Sequence, residues 1–315
     1  MDQAATARAG NQTPIAADPY RAATTGDAWR PRDVLEDMAG LARLTAGQRA
    51  AFARDGFLVI TGVLDNAEIA RWTAVVDRLE RLERASKGAG ELGFVEVRNA
   101  IAKDHELLDL ITHPGVFPII ADLMGPEIQV HTTHSMVRRS ARPGTPADFK
   151  ASGWHRDGMA QIPTVHGTCP WLYTKVGIFL TDLSVPGRGN LRVIPGSHLR
   201  AEMPARTDAA QIDPDGAVEV LTGPGDVVIF QQALWHSVGP NTSAIARKNI
   251  YMSYSQRWLR PIDYLVQDSG LMGKASAIQR QLLGEYPSEC TFYLPQPDDV
   301  PVRDWLTRYR AGSPA

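Results

Sequence analysis

Chemistry in this 315-residue chain can be built around His155, Asp157 and His236. His155 and Asp157 stand two apart in Gly153-Trp154-His155-Arg156-Asp157-Gly158, and in extended backbone residues two apart project to one face. One ion would then meet a neutral nitrogen and an anionic oxygen. A lone His-x-Asp occurs by chance, so a third donor must come from elsewhere in the fold. His236 is the best candidate, because the run from Gly225 to His236 leaves a Gly-Pro-Gly turn as an apolar strand and delivers the histidine at its far end. Two histidines and a carboxylate make a facial triad, which leaves positions open on a six-coordinate Fe(II). Arg247 follows His236 by eleven residues across the turn Gly239-Pro240-Asn241-Thr242, a spacing that suits neighbouring antiparallel strands. Arginine grips a carboxylate through two parallel hydrogen bonds and keeps its charge. Facing such an iron it suits a small dicarboxylate that chelates the metal at one end, a description 2-oxoglutarate meets. Taken singly, Arg247 reads as a surface arginine.

These residues need a frame, and the punctuation of the chain supplies one. Thr45 is positioned to cap a short helix running to Ala53, Asp55-Gly56 is a turn, and Phe57–Ile60 reads as a strand. Asp65 can cap a second helix, with Ile69, Trp72, Val76, Leu79 and Leu82 recurring on one face. Beyond Gly88-Ala89-Gly90 the pattern turns to β. The expected strands are Phe94–Val97, Ile128–Val137, Lys175–Leu183, Leu191–Ile194, Asp226–Phe230 and Asn249–Ser255, separated by Gly- and Pro-rich turns. Many short strands of this kind predict a sandwich or barrel. A helical stretch, Lys274–Leu283, precedes a Pro-rich run ending in Trp305, and residues 1–30 show no apolar period and read as a mobile tail. One domain over 31–315 with helical decoration is the economical division.

Composition narrows the function classes. With 33 Lys+Arg against 35 Asp+Glu the net charge is −2, so there is no basic field to hold a phosphate backbone and no nucleic-acid partner is expected. Two cysteines, Cys169 and Cys290, cannot make a thiolate zinc site or a disulfide scaffold. No apolar run approaches the roughly 20 residues that span a bilayer, and the first residues lack a signal-peptide pattern, so a cytoplasmic protein without membrane partners is expected.

The order His155-x-Asp157, then Asn190-Leu191-Arg192-Val193-Ile194-Pro195-Gly196-Ser197-His198, then His236 with Arg247, resembles the phytanoyl-CoA dioxygenase family of Fe(II)- and 2-oxoglutarate-dependent oxygenases. The segment Leu44-Thr45 through Phe52-Ala53-Arg54-Asp55-Gly56-Phe57-Leu58-Val59-Ile60 is similar to that family's opening helix and strand, so the resemblance spans roughly 44–260. It implies a mostly β fold with flanking helices, whose core, about 94–257, is a double-stranded β-helix (a jelly-roll, cupin-like). It implies His155, Asp157 and His236 as iron ligands and Arg247 on the distal carboxylate of 2-oxoglutarate. It also implies Thr174 and Met136 at cosubstrate-lining positions, with Arg98, Arg138 and Lys175 as further candidates. The expected activity is a dioxygenase that consumes O2 and 2-oxoglutarate, releases succinate and CO2, and hydroxylates an unactivated C–H bond of a small molecule, by family breadth a biosynthetic natural product. Family halogenases carry Gly or Ala where Asp157 stands, which disfavours halogenation. A non-enzymatic jelly-roll that senses a small acid and a zinc hydrolase on the same triad are the alternatives, and both leave Arg247 without a role.

The remaining residues read as structural. His131 and His134 stand three apart on an expected strand and cannot share an ion, His198 sits in a turn, and His105, His113 and His166 have no partner pattern. Trp154, Arg156 and Trp235 neighbour the proposed ligands and therefore point away from the ion. Walls for the substrate are expected from Gly158–Tyr173 (with Met159, Gln161, Ile162 and Trp171), from Asn249-x-Tyr251-x-Ser253 on the face of Arg247, and from Trp258-Leu259-Arg260-Pro261.

Overall fold

The computed structural model describes residues 35–36, 38–87, 93–140, 153–158, 167–208, 211–286 and 297–312. The expected tail, the lid residues Met159, Gln161 and Ile162, and His166 and Cys290 lie outside the described residues. The chain opens with α1 (Ala46–Asp55), where Thr45 and Gln48 form a reciprocal capping box and Gly56 closes the helix in the left-handed conformation. Strand β1 (Phe57–Ile60) leads to α2 (Asn66–Ser86), capped by Asp65 and Glu68 in the same way. Then come β2 (Phe94–Arg98), the short helices α3 (Ala100–Lys103), α4 (Leu108–Ile111) and α5 (Phe117–Met124), and β3 (Ile128–Arg138). Six strands follow: β4 (Tyr173–Phe179), β5 (Leu191–Val193), β6 (Val218–Val220), β7 (Val227–Gln231), β8 (His236–Val238) and β9 (Arg247–Gln256). Helices α6 (Ser269–Lys274), α7 (Ala277–Leu282) and α8 (Pro301–Ala311) complete the chain.

Two antiparallel sheets result, one of order β1-β7-β4-β9-β3-β2 and one of order β6-β5-β8. Alternation along the large sheet sorts its side chains into two layers. Val176, Ile178, Val227, Ile229, Ile250, Met252 and Tyr254 join Trp72, Leu79, Ile101, Phe117 and Trp305 of the helical layer in one apolar core. Their strand neighbours Phe179, Val228, Phe230 and Tyr251 instead meet Leu191, Val193 and Val220 of the small sheet. The space between the sheets holds a cavity of about 470 Å3, lined in part by Leu191, Phe230 and Tyr251 of this second cluster.

The expectation of a mostly β chain needs correction, because among the described residues helices hold more residues than strands. The outer face of a six-stranded sheet must be covered, and α2 to α5, α7 and α8 cover it. Helices α3 to α5 were not predicted, since pieces of four to eight residues carry no readable period, and α8 begins within the Pro-rich run, using Pro301 in its first turn. The three-residue strands β6 and β8 were equally invisible. Strand β4 ends at Phe179 rather than Leu183, whose backbone instead bridges to Thr222. No described helix is long and apolar enough to cross a membrane.

Candidate metal centre and the cavity beside it

The His-x-Asp segment is held by backbone pairing rather than by its own strand. His155 and His236 exchange both main-chain hydrogen bonds, 3.0 and 2.9 Å, and the Asp157 N–H donates to the Gln232 carbonyl at 3.1 Å. His236 begins β8, opposite Val193 of β5. These pairings bring together side chains about eighty residues apart. Asp157 Oδ1 lies 3.7 Å from His155 Nε2 and 3.8 Å from His236 Nε2, and one donor atom from each of the three falls within 4.8 Å of the others. Among the described residues this is the single such group of His, Cys, Asp or Glu.

The protonation states favour a metal. His155 Nδ1 lies 2.9 Å from the Gly153 carbonyl and His236 Nδ1 lies 2.9 Å from the Leu234 carbonyl. Each bond places the ring proton on Nδ1 and leaves the Nε2 lone pair facing Asp157. Burial lowers the His236 pKa to about 4, against the opposing pull of Asp157, so the ring is neutral at physiological pH. Burial alone would raise Asp157, but the ammonium of Lys175, through its charge and its hydrogen bond, outweighs it and holds the carboxyl far below its usual range. Lys175 Nζ donates to Asp157 Oδ2 at 2.8 Å. Burial opposes the ammonium charge, and the Asp157 carboxylate more than compensates, raising the Lys175 pKa. Two imidazole nitrogens and one carboxylate are the donor set of a non-haem ferrous site. His155 is the open side of the centre, its side chain 46% exposed against 4% for His236.

The cavity extends from this centre along the inner face of the large sheet. Arg247 and Arg138 are Cα partners on β9 and β3, and both line it. Arg247 is 1% exposed, bonds to Tyr251 Oη at 3.1 Å, lies over the Phe179 ring, and has no partner for Nε among the described residues. Arg138 lies over Phe94, and burial followed by the charge of Arg247 lowers its pKa to about 10. Two guanidiniums side by side, with no carboxylate among the described residues paired to either, suit an anionic ligand. Gly189 makes the approach possible: at φ +75° a side chain would be strained, and a Cβ would stand 3.3 Å from Arg247 Cδ and 3.6 Å from Arg138 Cδ.

Met136, Arg98 and Lys175, offered by the family resemblance, line the cavity, as do Tyr251 and Ser253 of the set expected on the strand face of Arg247. Thr174 does not, and that expectation is corrected. It is fully buried with the parity of Val176 and Ile178, on the helix-covered face, where its Oγ1 accepts from Trp171 Nε1 at 3.0 Å. The alternation Val176-x-Ile178 in the sequence was the signal that could have excluded it. Asn249 is fully buried, and neither its Oδ1 nor its Nδ2 has a hydrogen-bond partner among the described residues. Arg156 turns from the centre, as expected, and donates to the Ser197 and Arg200 carbonyls. Trp154 Nε1 donates to Asp213, and His198 packs in its turn with Nε2 3.1 Å from the Ala53 carbonyl.

Sequence reading missed a polar wall. His134, on the cavity, lies 3.2 Å from Glu96 Oε1 through Nδ1 and 3.1 Å from Asp263 Oδ1 through Nε2. Burial opposes its charge, yet the bonds to Asp263 and Glu96 prevail and the pKa is raised. Asp263 also accepts from the backbone N–H of Thr133 and Asn99, tying the segment after β9 to the wall. Phe94 and Ile262 form an exposed apolar rim. Nothing local marks Asp263 as a partner of His134, 129 residues away.

The sequence profile of the phytanoyl-CoA dioxygenase family (PhyH) matches residues 52–249. An uncharacterised protein of Mycobacterium tuberculosis is 28% identical over 244 residues, 73% of this chain and 83% of that protein. The ectoine dioxygenase of Bordetella parapertussis is 26% identical over 260 residues, covering 70% and 79% respectively. Among solved structures, the non-haem α-ketoglutarate-dependent carbocyclase SnoK of nogalamycin biosynthesis superposes with a TM-score of 0.53 at 25% identity, over 72% of this chain and 87% of that one.

Proposed function

The chain belongs to the phytanoyl-CoA dioxygenase family and is an Fe(II)- and 2-oxoglutarate-dependent dioxygenase; from that premise we propose that His155, Asp157 and His236 hold the iron and that the enzyme hydroxylates an unactivated C–H bond of a small molecule. The observation that carries the ligand assignment is the convergence of Nε2, Oδ1 and Nε2 beside a pair of arginines to which no carboxylate among the described residues is paired. When bound, ferrous iron lets O2 oxidise 2-oxoglutarate to succinate and CO2, one oxygen atom entering succinate and the other becoming available to the substrate.

This chain's residues bind, orient and keep water out. His155 and His236 present Nε2 because backbone carbonyls hold their Nδ1 protons. Arg247, with Arg138 beside it and Tyr251 steadying its guanidinium, receives the distal carboxylate of 2-oxoglutarate. Met136, Leu191, Phe230 and Val238 give the cavity apolar walls beside the arginines and the iron ligands. No side chain has to act as nucleophile or general base. The sensor and zinc-hydrolase readings give the arginine pair no task. Ectoine dioxygenase and the carbocyclase SnoK, by their names, act on different small molecules, and a natural-product substrate is proposed on that breadth. The two facing antiparallel sheets support a jelly-roll core over about 94–257 within one domain, 31–315.

Anaerobic addition of Fe(II) and 2-oxoglutarate should produce a weak visible charge-transfer band. His236→Ala and Asp157→Ala should abolish both the band and succinate release. Bands of wild-type strength in both variants would remove these residues from the ligand set. A succinate-release screen across metabolite classes, followed by product mass, then identifies the substrate.

A further inference from the structure

Asp157 offers two oxygens, and the structure divides them between different partners. Oδ1 faces both imidazole Nε2 atoms at 3.7 and 3.8 Å, whereas Oδ2 accepts a hydrogen bond from Lys175 Nζ at 2.8 Å. From this division we infer that Lys175 is a positioning residue that makes Asp157 a one-oxygen ligand and so keeps one metal position free for O2. The inference rests on the ligand assignment proposed above.

Coordination arithmetic gives the division its weight. A six-coordinate ion with three protein donors has three places left. A 2-oxo acid bound through its carboxylate and keto oxygens takes two of them, and O2 needs the third. A carboxylate ligating through both oxygens would fill that place. An unrestrained aspartate can switch between the two modes, and a hydrogen bond to its outer oxygen removes the choice.

Lys175 is built for this and for little else. It projects from β4 toward the space between the sheets, at the register position opposite Phe230 on β7 and Ser253 on β9. Its ammonium lies 5.0 Å from the Tyr251 ring centroid and 5.9 Å from that of Phe230, faces that attract a cation and keep the side chain from swinging to solvent. Side-chain exposure is 14%, and the ion pair recorded for it is with Asp157. A purely structural role accounts poorly for the residue, because a buried ion pair contributes little net stability over an apolar pair of similar volume.

Structures of the nickel–2-oxoglutarate complex of wild type and Lys175→Met test the division directly, and titration of the anaerobic Fe(II)–2-oxoglutarate complexes with nitric oxide, followed by electron paramagnetic resonance, tests the free position. In wild type, Oδ1 alone should bind the metal while Oδ2 stays on Lys175. In Lys175→Met both oxygens should turn to the metal, and nitric oxide affinity should fall roughly 10- to 100-fold, the scale on which losing an outer contact lowers metal affinity or activity. Lys175→Arg, which keeps a cationic donor, should restore most of that affinity. Two results overturn the inference: Lys175 leaving Asp157 for the 2-oxoglutarate carboxylate in the wild-type complex, or unchanged nitric oxide affinity in Lys175→Met. Nickel bound away from the three residues would sink the ligand assignment as well. If Lys175→Met does not fold, the wild-type complex alone decides.

Discussion

The two faces of the six-stranded sheet share the same strands and have opposite tasks. On β9, Ile250, Met252 and Tyr254 enter the helix-covered core, while Arg247, Tyr251 and Ser253 line the cavity. On β4 the split is Val176 and Ile178 against Tyr173 and Lys175. One face is apolar and closed, and its burial stabilises the fold. The other carries guanidinium, ammonium, imidazole and phenol groups, some with polar atoms that have no partner among the described residues, and burying these costs stability. The division teaches that binding capacity here is bounded by what the opposite face can support.

Substitutions on each face sharpen that contrast. The largest effect on stability is expected from Ile229→Ala on β7, fully buried under the helices, at about 2–5 kcal/mol in denaturant unfolding. Its cost should appear in stability while the 2-oxoglutarate KM stays near wild type. Arg247→Ala should do the reverse. Loss of the charge-assisted bonds, worth about 1.5–3 kcal/mol, should weaken 2-oxoglutarate binding by roughly 10- to 150-fold, with unfolding stability unchanged or slightly higher because a poorly paired buried charge is gone. A large destabilisation by Arg247→Ala would break the comparison.

His134 sits where the two tasks meet, and pH separates them. The charged groups facing it are Glu96 on β2, Asp263 in the segment after β9 and, repelling it, Lys175 on β4. Its native pKa is raised above the unfolded value of about 6.5. The stabilisation is therefore complete below that value and is lost as pH rises through the native pKa. Denaturant midpoints measured between about pH 6 and pH 9 should fall in wild type, by no more than the roughly 1.5–3 kcal/mol of a charge-assisted hydrogen bond, and this fall should be smaller in His134→Gln. The smallest effect belongs to Thr174→Val, which loses only the bond from Trp171, about 1 kcal/mol, and should leave the 2-oxoglutarate KM untouched. A raised KM would return Thr174 to the cavity face.

Much of this was legible in the chain because the signals are local. Thr45 and Asp65 cap their helices through contacts three residues away, and Arg138, Met136 and Tyr251 fall on the cavity face by simple alternation. Thr174 departs from the position the family resemblance implies because on β4 it shares the parity of Val176 and Ile178. The partnerships of Lys175 with Asp157 and of His134 with Asp263 were unreadable, since each joins residues whose separation in sequence says nothing about their distance in space.

By itself the sequence determined the donor types, the strand that carries the arginine and the family pattern, because residue chemistry and period-two alternation are properties of short segments. Tertiary structure alone decided which oxygen of Asp157 faces the histidines, which arginines stand without a carboxylate, and which polar groups make the cavity wall. Those outcomes depend on register between strands remote in the chain, where a shift of one residue would turn every side chain to the other face.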